Sequence, residues 1–213
     1  MKRIATLLLL QVALIGCVFS SSAQSELKPI ISKMNMSGSK ASIIALDKKL
    51  DALVKKYPDK WLPLYWSGFA KLLISHKSTT LTEKDAWIAK ADVQITKAWG
   101  KTNKKSEVAV LKALSVSSKI MANSKKRGPK LISKLGHWVA QAKVLDPTNP
   151  RAYYMDAMTV MATPKGFGGG PKRAIPMFET ALVMYKNFKP ASSIHPNWGK
   201  DQVQKELAKI KSS

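Results

Sequence analysis

The sequence predicts an all-α protein built from stacked antiparallel helix pairs, and three observations carry this prediction. Apolar residues recur at three- and four-residue steps, which is the period of a helix that buries one face. Prolines, glycines and polar clusters divide the chain into short helical segments. No stretch alternates apolar and polar residues with the period of a half-buried strand, so no sheet is expected.

Start and stop signals set the helix boundaries. Thr82 and Asp85 are spaced as a capping box, and Asn149 with Pro150 is a favourable cap and first-turn pair. Pro176 falls inside a helical segment and predicts a kink or a late start there. In chain order, the predicted helices cover residues 41–54, 63–75, 82–100, 105–122 and 129–145, begin near 149 and 171, and end with 197–211.

The N-terminus is typical of a secretory signal peptide. Two basic residues precede an apolar run over 4–19 that is too short for a membrane span. Ser21 and Ala23 occupy the small-residue positions of an ordinary cleavage site, which makes Gln24 the first mature residue. Cys17 instead fits a lipoprotein box, so a lipid-anchored form is the alternative. We therefore expect an exported protein of the periplasm or cell envelope.

Internal repetition supports a repeat architecture. Small residues recur at intervals of 39 to 44 residues, once in the middle of each paired helix. In first helices of the pairs they are Ala70, Ala113 and Ala157, and in second helices they are Ala98, Ala142 and Ala181. Small side chains let paired helices approach closely, so these positions mark the contact within each pair.

Residues 40 to 186 resemble the tetratricopeptide family. Ala174, Phe178 and Ala181 follow the second-helix pattern of that family, as do Ala142 and Pro147. The resemblance implies a solenoid of three helix pairs between a leading and a capping helix, with divergent, elongated repeats. The expected layout is a signal peptide over 1–23, an N-terminal segment over 24–38, a repeat domain over 39–191 and a capping helix within 192–213.

Three short motifs carry a narrower resemblance. The motifs Lys-Trp-Leu-Pro-Leu-Tyr at 60–65, Phe-Gly-Gly-Gly at 167–170 and His-Pro-Asn-Trp-Gly at 195–199 are similar to short, signal-bearing tetratricopeptide-like proteins of Bacteroidota. That group implies an envelope location more firmly than it implies any activity.

The charge is strongly positive. Removing the two basic residues of the signal from the 36 in the chain leaves 34, against 13 acidic residues, for a net charge of +21. Such a charge bears on partners and solubility. The lysines are dispersed along the helices and no base-reading motif is present, so nucleic acid is not the expected target. No segment of the mature chain is apolar enough to predict a membrane span.

The residues argue against catalysis. None of His76, His137 and His195 has a second histidine at i+4, and no Gly-x-Ser-x-Gly motif is present. No metal or cofactor is therefore expected. Asp156 is the one acid in an apolar helical segment, and either a site or a hydrogen bond to a neighbouring helix would explain it.

Binding on a concave surface is the expected function. In stacked helix pairs the first helices line a concave face that usually accepts peptide or protein segments. Counting back from Ala70 and Ala157 places equivalent residues on this face. The predicted groove residues are Ser67, Lys71, Arg151 and Tyr154.

An anionic ligand is the alternative. Bare backbone amides before a helix can hold an anion, although the segment over 166–173 lacks the pattern of a phosphate-binding loop. The other interpretation is a tight turn with Phe167 as a hydrophobic plug. The predicted anion-binding residues are Gly168, Gly169, Gly170, Lys172 and Arg173.

We predict that the exported form begins at Gln24 and carries no lipid. The apolar core extends through residue 19 to the small-residue tail, which favours cleavage after Ala23. Intact mass spectrometry of the exported protein measures this directly. A diacylated species that begins at Cys17 would contradict the prediction.

Overall fold

The structure is a computed structural model that describes residues 22–212 of the 213-residue chain. The predicted signal peptide lies outside the described residues, apart from its last two positions. The described residues form α-helices and one 3₁₀ turn, with no strand among them. The helices are α1 (22–31), α2 (Lys40–Lys56), α3 (Trp61–His76), α4 (Leu81–Lys101), α5 (Lys105–Ala122), α6 (Ser124–Leu145), α7 (Pro150–Ala162), α8 (Pro171–Asn187) and α9 (Lys200–Lys211).

The helices pack as consecutive pairs. The most extensive contacts join α3 to α4, α5 to α6 and α7 to α8, and the first helices of the pairs also touch in the order α3, α5, α7. The leading helix α2 packs on α3, and α9 packs on α8. The predicted all-α class and the three helix pairs are therefore confirmed. None of the helices in 22–212 has the length and apolarity that crossing a membrane demands.

Several boundaries differ from the predictions. The cap of α4 is Thr80, whose hydroxyl accepts from the amide of Glu83, so the capping pair lies two residues before the predicted one. Asn123 caps α6 in the same way. The polar residues 123–128, which lie between two predicted helices, are therefore helical from Ser124 onward. The helix α8 begins at Pro171 as predicted, so Pro176 causes no late start.

Three further features differ from the predictions, one near each end of the chain and one in the turn between α7 and α8. Helix α1 falls in the expected N-terminal segment and buries Leu27 in the core. Helix α9 begins at Lys200 because Gly199 takes a left-handed conformation with φ of 110°. Phe167 is not a plug, because the 3₁₀ turn Lys165–Phe167 leaves it 85% exposed.

First and second helices differ in burial. Nearly every residue of α3 from Pro63 to Ser75 is buried, whereas α4 buries a single stripe that includes Ala91 and Ala98. The first helices therefore form the centre of the molecule. The close approach of α3 to α4 is visible at Gly68, where a β-carbon would lie 2.9 Å from Cγ1 of Ile95.

Replacing Gly68 with alanine should lower the free energy of unfolding by about 1–3 kcal/mol, because the methyl group overpacks the contact with Ile95. Gly136 is the matched control. It lies within α6, and a β-carbon there would meet nothing within 4 Å. Gly136→Ala should stabilise by about 0.5–1 kcal/mol through the helix propensity of alanine. Urea unfolding measures both, and equal stabilisation by the two variants would contradict the close packing of α3 on α4.

Candidate functional site

The first two predicted groove residues belong to a buried charge network. The Lys71 ammonium lies 2.7 Å from a carboxylate oxygen of Asp47 and of Asp51 on α2, and 2.8 Å from the Ser67 hydroxyl. Lys71 and Asp47 are almost fully buried, and burial raises the pKa of Asp47. These contacts fix α2 against α3. Ser67 and Lys71 therefore face a neighbouring helix, and their role in binding stays a prediction.

The other two predicted groove residues are also buried. Arg151 on α7 is fully buried and grips both carboxylate oxygens of Glu107 on α5, with its Nε 2.9 Å from Oε2. Its guanidinium also lies over the ring of Phe188 at 4.5 Å. Tyr154 is 7% exposed, and burial raises its pKa. As with Ser67 and Lys71, contact with a ligand stays a prediction.

The glycine-rich turn uses its own amides. The amides of Gly168, Gly169 and Gly170 donate to the carbonyls of Lys165, Pro164 and Val160, respectively. These donors hold the turn together, and both Lys172 and Arg173 after it are exposed. The anion-binding role of the turn stays a prediction.

Asp156 has a partner on the preceding helix. Its carboxylate pairs with the ammonium of Lys143 on α6, and both side chains are about one-third exposed. This contact agrees with the second explanation for an acid in an apolar segment, a hydrogen bond to a neighbouring helix.

The groove of the first helices is covered by the chain itself. Residues 188–199, here called the covering segment, run between α8 and α9. The indole of Trp66 donates to the Ile194 carbonyl at 2.8 Å, and the indole of Trp198 donates to the Tyr65 hydroxyl at 2.9 Å. These two bonds hold the segment over α3.

A third contact holds the end of the covering segment. The Tyr185 hydroxyl donates to the Trp198 carbonyl at 2.9 Å. A β-carbon at Gly199 would lie 2.0 Å from that hydroxyl, so only glycine permits this approach. The start of α9 is thereby fixed against α8.

The covering segment completes an aromatic cluster, formed by Tyr65, Trp66, Phe69 and Trp198. Trp198 stacks on Phe69 with ring centroids 4.8 Å apart, while Trp66 meets both Tyr65 and Phe69 edge-on at 5.6 Å. Such stacked and edge-on contacts stabilise beyond the area that they bury. The cluster is thus a rigid wall on one side of α3.

A cavity of about 510 Å³ opens beside this wall, and we call it the terminal cavity. It lies between the turn that follows α1 and the first turn of α9. Aromatic, thioether and aliphatic groups supply its apolar surface. Amides, hydroxyls, one imidazole and the oppositely charged side chains of Lys200 and Asp201 supply its polar groups. The apolar lining is Ile31, Met34, Met36, Trp66, Phe69 and Trp198, and the polar lining includes Ser32, Asn35, Ser193, His195 and Asn197.

A second cavity of about 580 Å³, here called the lysine-lined cavity, lies between the start of α5 and the end of α8. Lys104, Lys105 and Lys189 surround it, together with Glu107 and Phe188. Its lining includes four residues of the covering segment, Phe188, Lys189, Ala191 and His195.

His195 lines both cavities. Its Nδ1 lies 2.8 Å from the Ser192 hydroxyl, and its ring meets Trp61 edge-on at 5.7 Å. Burial and the nearby charge of Lys104 lower the pKa of His195, which favours the neutral form of the ring. In the described part of the chain, no three or more His, Cys, Asp or Glu side chains form a group that could hold a metal ion.

The fold has a known counterpart. A solved structure, the HusA haemophore from Porphyromonas gingivalis, superposes with a TM-score of 0.76 over 91% of this chain and 92% of that one. The two sequences are 21% identical, so the likeness establishes the fold alone. No protein-family model matches the chain, and no curated protein matches it. Membership of the tetratricopeptide family therefore stays a prediction.

Sequence reasoning did not find the terminal cavity. The motif at 195–199 was noticed as a resemblance, and it holds both His195 and Trp198. Its position over α3 depends on two hydrogen bonds between residues far apart in the sequence. Trp66 and Ile194 are 128 residues apart, and Tyr65 and Trp198 are 133 residues apart. The Trp and His residues of this motif were the one available signal.

Replacing Glu107 with alanine should lower the free energy of unfolding by about 3–5 kcal/mol, because it leaves the buried Arg151 guanidinium without its partner. Glu179→Ala is the matched control. Glu179 pairs with Lys211 where both side chains are about half exposed, and its loss should cost under about 1 kcal/mol. Urea unfolding of both variants is the measurement, and similar losses would mean that the buried pair does not form in solution.

Proposed function

We propose that the protein is an exported, non-catalytic binding protein whose ligand is a porphyrin, bound in the terminal cavity. The observation that carries this proposal is the aromatic and thioether wall of a cavity of about 510 Å³. That volume lies within the range of about 300–1,000 Å³ that is typical of small-molecule sites. A flat apolar macrocycle matches a wall of rigid rings.

The structural likeness supports the same ligand class. The neighbour is named a haemophore, and haem is a porphyrin. The shared fold does not carry that activity to this chain, so the proposal depends on the chemistry of the cavity. Met34 and Met36 are adaptable side chains that can fit around a large ligand.

Polar groups at the mouth of the cavity suit the carboxylates of a porphyrin. Residues 200–202 line it at the first turn of α9, where no side chain caps the backbone amides. A helix N-terminus favours negative charge, and the Lys200 side chain adds a positive charge there, while the adjacent Asp201 carboxylate adds a negative one. The overall charge of +23 on the full chain favours the approach of such anions.

This proposal replaces the groove as the working site. The groove residues Ser67, Lys71, Arg151 and Tyr154 are buried. Helix α2 lies against the first two and the covering segment against the last two, so a peptide could reach them only after both elements moved. A protein partner on another surface is compatible with a bound porphyrin. Export stays part of the proposal and is supported by the signal-like N-terminus.

Wild-type protein should bind protoporphyrin at one site with an affinity that survives high salt. Attraction between a basic protein and the porphyrin carboxylates weakens as the Debye length falls from about 10 Å at 0.1 M to about 3 Å at 1 M, whereas aromatic contacts persist. Absorbance titration at both salt concentrations measures this. Binding that vanishes at high salt would contradict the proposal.

Two substitutions by tryptophan test which cavity holds the porphyrin. Ser193 and Ala191 are exposed residues of the covering segment, but Ser193 lines the terminal cavity and Ala191 lines the lysine-lined cavity. Ser193→Trp should lower porphyrin affinity by about tenfold or more because the indole fills the pocket, whereas Ala191→Trp should leave it unchanged. A larger loss of porphyrin affinity in Ala191→Trp than in Ser193→Trp would place the ligand in the lysine-lined cavity. Unchanged affinity in both variants would exclude both cavities.

A further inference from the structure

The terminal cavity is lined by a single histidine. His195 is the only histidine among its lining residues, and the ring is half-buried between Trp61 and the cavity. The other two histidines lie elsewhere, His76 against Ser118 and His137 against Trp138. His195 is therefore the histidine that a ligand in this cavity would meet.

The ring is oriented by a neighbour in the same segment. Its Nδ1 lies 2.8 Å from the Ser192 hydroxyl, which also accepts from the Ile194 amide at 3.3 Å. The Ile194 carbonyl in turn accepts from the buried indole of Trp66. The position of His195 is thus tied to the aromatic cluster through two neighbouring residues.

This arrangement resembles the way proteins present a histidine to a metal. A ligating imidazole usually engages its second nitrogen in a hydrogen bond, which fixes the tautomer and the ring direction. Here Ser192 engages Nδ1, and no hydrogen bond of Nε2 is found among the described residues. A haem iron needs only axial ligands from the protein, so a site with a single histidine is sufficient.

Resting on the proposed function, we propose that Nε2 of His195 is an axial ligand of the haem iron, with Ser192 as the positioning residue that accepts a hydrogen bond from Nδ1–H. The ligand class then narrows from porphyrins in general to iron porphyrins. Met34 and Met36 line the same cavity, so thioether sulfurs, which also ligate haem iron in some proteins, are present as well.

The experiment compares two probes, Fe(III) protoporphyrin and metal-free protoporphyrin, in absorbance titrations. His195→Ala should lose about tenfold or more of the affinity for the iron porphyrin and shift its Soret band, while affinity for the metal-free porphyrin should change little. Added imidazole should restore the Soret position by replacing the missing ring. His137→Ala, at an exposed position outside both cavities, is the control and should change neither probe.

Ser192→Ala keeps the imidazole but removes the partner of Nδ1. It should weaken binding of the iron porphyrin by about tenfold, because the imidazole loses the hydrogen bond that fixes its tautomer and direction. Affinity for the metal-free porphyrin should again change little. Circular dichroism and urea unfolding check that both variants are folded.

The outcomes separate the two proposals. A wild-type protein that binds neither probe would contradict the proposed function. The wild-type protein could instead bind both probes while His195→Ala and Ser192→Ala leave the affinity for the iron porphyrin and its Soret band unchanged. That result would overturn axial ligation and leave the proposed porphyrin binding intact.

Discussion

The arrangement of the molecule depends on the contact of the covering segment with α3. Two indole N–H groups make it, Trp66 to the Ile194 carbonyl and Trp198 to the Tyr65 hydroxyl. Both bonds are buried, where an unpaired donor would cost about 1–3 kcal/mol, so the segment cannot lift without losing both. Because the segment lies there, the first-helix groove is closed, the aromatic cluster is complete, and the two cavities are formed on either side of His195.

Buried ion pairs hold the first helices against their neighbours. The helices α3 and α7 each place a cation in the interior, Lys71 and Arg151, and each cation meets a carboxylate from a different helix. Isolated buried charges cost several kcal/mol, and a matched partner offsets much of that cost only in the native geometry. These pairs therefore fix how α2 lies on α3 and how α5 lies on α7. The same pairs occupy the Lys71 ammonium and two of the three guanidinium nitrogens of Arg151, whereas Nη1 of Arg151 has no hydrogen-bond partner among the described residues.

Much of the fold could be predicted from local sequence, whereas the site could not. The bounds of α5 agree with the prediction at both ends, and the capping pair at Asn149 is as expected, because caps and periodicity act within a few residues. The sequence could not show that the predicted groove residues are covered. Ser67 and Lys71 contact carboxylates of α2, whereas Tyr154 packs against Phe178 and Trp198. Arg151 is buried only because Glu107, 44 residues away, is its partner. The covering segment has no periodicity at all, so its position is set by tertiary contacts alone.

A closed groove changes the kind of ligand that the fold can accept. A peptide needs a long open surface, and a solenoid offers one only when the chain leaves its first helices uncovered. Here the chain fills that surface with residues 188–199 and keeps two compact cavities at its margins. Compact cavities favour a rigid small molecule, which loses little conformational freedom on binding. Aromatic walls further favour a flat one, since stacked rings gain most from a planar partner. A porphyrin, as proposed above, is flat, rigid and anionic, and the net positive charge of the chain favours its approach.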